Sequence, residues 1–215
     1  MSLKLYYHPL ASYCWKTLIA LYENSTAFER HLVDLANPAE HAALTQLSPF
    51  TKFPTLQDHA RVRVVTESTT IIEYLTRHYP GPTQLIPDAP DAAFEVRRLD
   101  RLFDLYVHEP MQKIVGDIIR PDGKRDAYGV DQARDTLRRA YDVLERELAE
   151  RRWAAGSAFS MADCAAAPAL YYANRVAPFA ATQPRLAAYL KRLHERPAFA
   201  RVFEEAQPYL PMFPG

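Results

Sequence analysis

Apolar positions along the chain change period several times, and those changes predict its elements. Leu3-Lys4-Leu5-Tyr6-Tyr7 is a short apolar and aromatic run ended by His8-Pro9, which predicts a strand stopping at a turn. From Ser12 the spacing becomes helical. Cys14, Leu18 and Leu21 fall on one stripe and Trp15, Ile19 and Tyr22 on the next, which predicts a helix with one broad apolar face. Phe28 to Leu35 is compatible with a strand. The loop-rich stretch from Asn37 to Thr51, with Pro38 and Pro49, carries alanines that suit a short helix. Phe53-Pro54-Thr55-Leu56, a turn at Asp58-His59-Ala60, and Arg61 to Thr66 predict a hairpin. Glu67-Ser68 then opens a helix, with Ser68 as its N-cap and Ile71, Leu75 and Tyr79 facing inward. The predicted order is βαβ followed by ββα.

Pro80, Gly81, Pro82, Pro87 and Pro90 crowd a segment that neither helix nor strand interior tolerates. The domain linker is placed there, at 80–91, between a first domain at 1–79 and a second at 92–215. Beyond it the period is helical throughout. Val96, Leu99, Phe103, Tyr106 and Val107 belong to one helix, Leu137, Tyr141, Leu144 and Leu148 to another, and Leu186, Leu190 and Leu193 to a third, so the second half is an all-α bundle. Pro110 is expected to kink or interrupt the first of these helices. Phe159-Ser160-Met161-Ala162-Asp163-Cys164 has the form of a capping box, and Pro168 is expected to bend the helix that follows. The tail from Gln207 to Gly215, with three prolines, is expected to be extended.

Composition removes several classes of function. The chain has 215 residues with 26 basic and 26 acidic side chains, so it lacks the basic surplus that neutralises nucleic-acid phosphates. Runs such as Arg97-Arg98, Arg138-Arg139 and Arg151-Arg152 are interleaved with acids, as on solvated helix faces. No run of about 18 apolar residues suggests a membrane span, and the N-terminus has no secretory h-region, so a cytoplasmic location is expected. Cys14 and Cys164 form neither a CxxC pair nor a disulfide framework. The histidines, His8, His31, His41, His59, His78, His108 and His194, show no metal-ligand spacing, so no metal is expected.

Three short segments carry candidate chemistry, and each taken singly also has a plain structural explanation. Phe53-Pro54 enters a strand, where a cis bond is one way to aim the preceding backbone at a ligand and an ordinary trans proline is the common alternative. Glu67-Ser68 begins a helix whose free N–H groups can bind a carboxylate, while Glu67 can accept from an ammonium group; simple capping explains the pair equally. Ser12 heads the first helix, where it can act as a cap or, with the backbone amides, stabilise a thiolate.

Taken together, Leu5-Tyr6-Tyr7-His8-Pro9-Leu10-Ala11-Ser12, Thr51-Lys52-Phe53-Pro54-Thr55-Leu56, Thr66-Glu67-Ser68-Thr69-Thr70-Ile71-Ile72-Glu73-Tyr74-Leu75 and the proline linker into a helical bundle resemble the cytosolic glutathione transferases across nearly the whole chain. The resemblance implies a thioredoxin-like α/β N-terminal domain with an all-α C-terminal bundle, glutathione as co-substrate, and a homodimer active in detoxification. It also implies a cis Pro54, Phe53 presenting its backbone to the cysteinyl part of glutathione, Glu67 and Ser68 taking the γ-glutamyl end, and Lys52 suiting the glycine carboxylate. Ser160 and Asp163 resemble the capping box of that family's second-domain core helix.

The resemblance leaves three candidates for the residue that activates the thiol. Ser12 matches the serine-type members and ranks first. Cys14, in the first helical turn, would instead form mixed disulfides with glutathione, although its apolar stripe argues for burial. Tyr7 stands where tyrosine-type members carry theirs and ranks below Ser12. The leading function is therefore attack by a Ser12-stabilised glutathione thiolate on a mostly apolar electrophile. Leu10, Tyr106, Met111 and Ile114 are positions that line such a pocket or belong to the core. The alternatives are a thiol-disulfide reductase acting through Cys14 and a non-catalytic glutathione-binding scaffold.

Overall fold

The computed structural model describes residues 2–34 and 36–214. Leu35, where the second predicted strand was expected to end, and Gly215 lie outside the described residues.

The first domain is built on a four-stranded sheet, β1 (Leu3–Tyr7), β2 (Glu29–Leu32), β3 (Thr55–Asp58) and β4 (Arg63–Thr66), in the order β2-β1-β3-β4. β1 and β2 run parallel and are joined through the helix α1 (Ser12–Glu23), whereas β3 pairs antiparallel with both β1 and β4. A parallel pair needs a crossover connection and an antiparallel pair needs only a turn, which is why the helical pattern falls between the first two strands and the short turn between the last two. α2 (Pro38–Leu47) precedes β3, and α3 (Ser68–His78) follows β4. This is the expected thioredoxin-like arrangement, and Leu3, Leu5 and Leu56 of the sheet are fully buried in its core.

α1 departs from the predicted single apolar face, because every residue from Cys14 to Leu21 is buried. It packs on α3 of its own domain and on α7 (Met161–Val176) and α9 (Pro197–Ala206) of the other, so no side is left for solvent. Lys16, which a sequence pattern assigns to the polar side, is carried into the domain interface with it.

The second domain comprises α4 (Pro90–Leu102), α5 (Glu109–Ile118), α6 (Ala127–Glu147), α7, α8 (Pro184–His194) and α9. α4 begins at Pro90, within the segment read as linker, because proline is well suited to the first helical position. The preceding linker is pinned rather than loose: Leu85 is buried and its carbonyl accepts from the Met161 N–H at 2.8 Å. Between α4 and α5 lies a π-helical turn, Phe103–His108, in which the Glu109 N–H bonds the Asp104 carbonyl five residues back. Pro110 supplies no N–H and its ring would crowd the carbonyl of Tyr106, so the widened turn is the form that the expected interruption takes.

The capping box is present. Asp163 accepts from the Ser160 N–H at 2.8 Å and from its hydroxyl at 3.0 Å, and also from the Ala154 N–H at 2.8 Å and the Tyr189 hydroxyl at 2.6 Å. α7 continues through Pro168. The tail is not extended: Leu210–Met212 forms a 3-10 turn, and Phe213 packs on Tyr172 with ring centroids 4.9 Å apart. Among the described residues no helix is long and apolar enough to cross a membrane.

Candidate active site

A cleft of about 570 Å³ opens between the domains, and all five residues expected to hold glutathione line it: Lys52, Phe53, Pro54, Glu67 and Ser68. They arrive from two places. The loop before β3 contributes the first three, with the Phe53-Pro54 peptide bond cis, and the start of α3 contributes the others. Ser68 is not the N-cap predicted for α3. Glu67 occupies that position, at φ 67° and ψ 118°, and Ser68 is the first helical residue. A non-glycine residue at such positive φ costs of order 1–3 kcal/mol and persists only where its surroundings hold it, a pattern found at ligand clamps. Its consequence here is that the helix starts one residue earlier than predicted, with Ser68, Thr69 and Thr70 on the cleft wall.

The opposite wall is charged. Arg97, Asp100, Arg101, Asp104 and Glu109 of the helical domain line it, with Leu105 among them. Lys16 lies behind this wall, 2.7 Å from Asp100 and 2.8 Å from Asp104, and Thr69 accepts from Lys16 at 2.8 Å while donating to Asp100 at 2.8 Å. Arg101 completes the cluster at 2.7 Å from Asp100. Two cations and two carboxylates thus tie α1 and α3 to α4 in a low-dielectric setting, where an unpaired member would be costly. Burial raises the Asp104 carboxyl above the usual range, opposed by Lys16 and reinforced by Asp100.

The residues expected near a second substrate are distributed differently. Met111 and Ile114 are buried core residues, and Tyr106 faces an outer groove between α4 and α6 with Leu102, Ala140 and Val143. Leu10 has its carbonyl fixed by the Tyr172 hydroxyl at 2.9 Å, so α7 of the second domain positions the loop that leads into α1.

The three catalytic candidates also separate. Ser12 is 5% exposed, begins α1 with Ala11 as its N-cap, and has its hydroxyl in contact with the Nε2 of His108. Cys14 is fully buried, and burial pushes its thiol well up. Tyr7 is half-buried among Arg30, Glu205 and Tyr209, with its hydroxyl pushed up by burial. None of the three candidates lines the cleft itself; Ser12 lies next to it in sequence through the cleft-lining Tyr13.

Besides the charged wall, two residues beside Ser12 were not foreseen. Tyr13 lines the cleft, and its ring lies 4.1 Å from that of His108. Burial first, and then the charges of Asp104 and Glu109, raise the Tyr13 hydroxyl well above its ordinary value. His108 itself is 2% exposed, and its Nδ1 has no hydrogen-bond partner. Burial, reinforced by Lys16, lowers its imidazole to about 3, so it is neutral near physiological pH. The adjacency of Tyr13 to Ser12 was available as a signal. The pairing of Ser12 with a histidine 96 residues away was not.

A thioredoxin-like domain whose cleft is closed by an all-helical domain defines the class of protein. Residues 11–78 match the family model for the glutathione S-transferase N-terminal domain, and residues 127–192 that for the glutathione S-transferase C-terminal domain. The chain belongs to the glutathione transferase family. It is 30% identical to Glutathione S-transferase 3 of Zea mays over 210 residues, covering 93% of this chain and 92% of that one. It is 28% identical to a probable maleylacetoacetate isomerase of Vibrio cholerae over 215 residues, covering 97% and 98%. A glutathione S-transferase from Methylobacillus flagellatus, solved with gsh bound, superposes with a TM-score of 0.86 at 26% identity over 94% of this chain and 98% of that one.

Proposed function

We propose that this protein is a cytoplasmic glutathione transferase in which Ser12 stabilises the glutathione thiolate for attack on an electrophilic carbon. The observation that carries the reading is that Lys52, Phe53, Pro54, Glu67 and Ser68, chosen from separate stretches of sequence, share one cleft wall. Glu67 and the N-terminus of α3 receive the ammonium and carboxylate of the γ-glutamyl end. The Phe53 backbone holds the cysteinyl part and Lys52 the glycine carboxylate. The bound thiol releases its proton to water, Ser12 donates to the sulfur anion, and a sulfur lone pair forms the S–C bond as a leaving group departs with its bonding pair or, in an addition, as the carbon's π pair moves to the neighbouring atom and takes up a proton from water.

Tyr13 is a cleft-lining hydroxyl, but Asp104 and Glu109, which raise its pKa, would also repel a thiolate beside it. Ser12 is therefore preferred. Full burial of Cys14 and its raised thiol disfavour the thiol-disulfide alternative. The charged wall of Arg97, Arg101, Asp104 and Glu109 favours a second substrate with polar groups over a wholly apolar one.

The homodimer implied by the resemblance is supported by Phe50, 82% exposed on the first domain, and by the apolar groove at Leu102, Ala140 and Val143 on the second. The deciding experiment is the ultraviolet absorbance of bound glutathione thiolate against pH. Wild type should show a depressed thiol pKa and Ser12→Ala a normal one; equal values would overturn the assignment.

A further inference from the structure

The contact between Ser12 and His108 poses a question of direction, since a serine hydroxyl bonded to imidazole either donates its proton or accepts one. We infer that His108 is a positioning residue whose Nε2–H donates to Ser12 Oγ, so that the serine proton is left to point at the glutathione sulfur. The inference rests on Ser12 being the thiolate donor and says how that donor is oriented.

Three observations carry it. The Ser12 hydroxyl and His108 Nε2 are in contact, and both side chains are buried. His108 is neutral, because burial and the nearby Lys16 charge oppose protonation, so its ring holds a single proton. Its Nδ1 is buried with no partner. Placing the proton on Nδ1 would bury an N–H without an acceptor, which is rare in folded proteins, and would also consume the serine proton. Placing it on Nε2 satisfies the donor and leaves the serine free to donate.

A chain of donors then runs from imidazole through hydroxyl to sulfur, and each bond polarises the next. Tyr13 covers the imidazole from the cleft side of α1, with ring centroids 4.1 Å apart, and limits its rotation. The π-helical turn before Pro110 ends at His108 and sets the angle at which the ring meets α1.

Two measurements test this. In protein labelled with nitrogen-15 at histidine, the long-range proton–nitrogen spectrum of His108 should report the Nε2–H tautomer; the Nδ1–H form would overturn the inference without any substitution. Thiolate titrations then compare wild type, Ser12→Ala, His108→Phe and His108→Gln, whose amide can replace the Nε2–H donor. His108→Phe should raise the thiol pKa by about one unit, a tenfold fall in the acid dissociation constant of the bound thiol, with little change in KM for glutathione. His108→Gln should stay close to wild type. A folded His108→Phe protein with wild-type thiol pKa, beside a shifted Ser12→Ala, removes His108 from the mechanism and leaves Ser12 in it. No shift in either variant removes both.

Discussion

Lys16 of α1 and Asp100 of α4 meet at 2.7 Å with both side chains withdrawn from solvent, and this pair is the centre of the bond between the two domains. Asp104 accepts from the same ammonium and Arg101 bridges the two carboxylates, so removing Lys16 leaves two buried acids with one partly exposed cation. Breaking a buried pair from one side costs about 3–5 kcal/mol. Lys16→Met should lower the denaturant midpoint accordingly, and because Asp100 and Asp104 line the cleft, it should also weaken glutathione binding measured by calorimetry.

A second interdomain tie is the bidentate bond of Arg196 to Glu23, with Nε and an Nη each 2.7 Å from a carboxylate oxygen. The same guanidinium lies 4.3 Å from the Phe159 ring centroid and 5.2 Å from that of Trp153. Arg196→Ala should cost about 2–4 kcal/mol of stability by urea unfolding. Arg196→Lys should recover only part of that, because an ammonium cannot make the fork.

At the cleft, Glu67→Gln removes the charge expected to meet the γ-glutamyl ammonium. A charged hydrogen bond is worth about 1.5–3 kcal/mol, so the dissociation constant for glutathione should rise by about 10- to 100-fold. Ser68→Ala removes a neutral donor and should cost nearer fivefold, about 1 kcal/mol. Isothermal titration of both variants separates these effects from turnover, which should fall less than affinity.

His108 makes stability depend on pH. Its native value is lowered to about 3, whereas an unfolded histidine titrates near 6.5. Between those values the unfolded chain holds a proton that the native chain refuses, so acidification favours unfolding. The loss begins below pH 6.5 and approaches about 1.4 kcal/mol per pH unit from this group. His108→Gln should flatten that part of the Tm–pH curve; an unchanged slope would place the effect elsewhere.

The capping box offers a control remote from the cleft. Asp163 accepts four hydrogen bonds that hold the start of α7, and Asp163→Ala would leave buried donors on Ala154, Ser160 and Tyr189. Each unsatisfied group costs about 1–3 kcal/mol, so the variant should express poorly or unfold well below wild type. Circular dichroism melting checks this.

What the sequence determined by itself was whatever depends on near neighbours in the chain. The apolar and aromatic run Leu3–Tyr7, helical period after Ser12, proline punctuation before α4 and the Ser160-Asp163 box are local signals, and with the Lys52-Phe53-Pro54 and Glu67-Ser68 segments they placed the elements and two of the stretches that line the cleft. Ser12 was recognisable by its place at the head of α1. What only the tertiary structure decided was the environment of each side chain. Packing α1 between two domains buried Lys16 and Cys14 and brought Ser12 against His108, while the π-helical turn forced by Pro110 set that histidine's angle. Such contacts join residues distant in sequence through the packing of elements, and burial energies depend on that packing rather than on spacing along the chain.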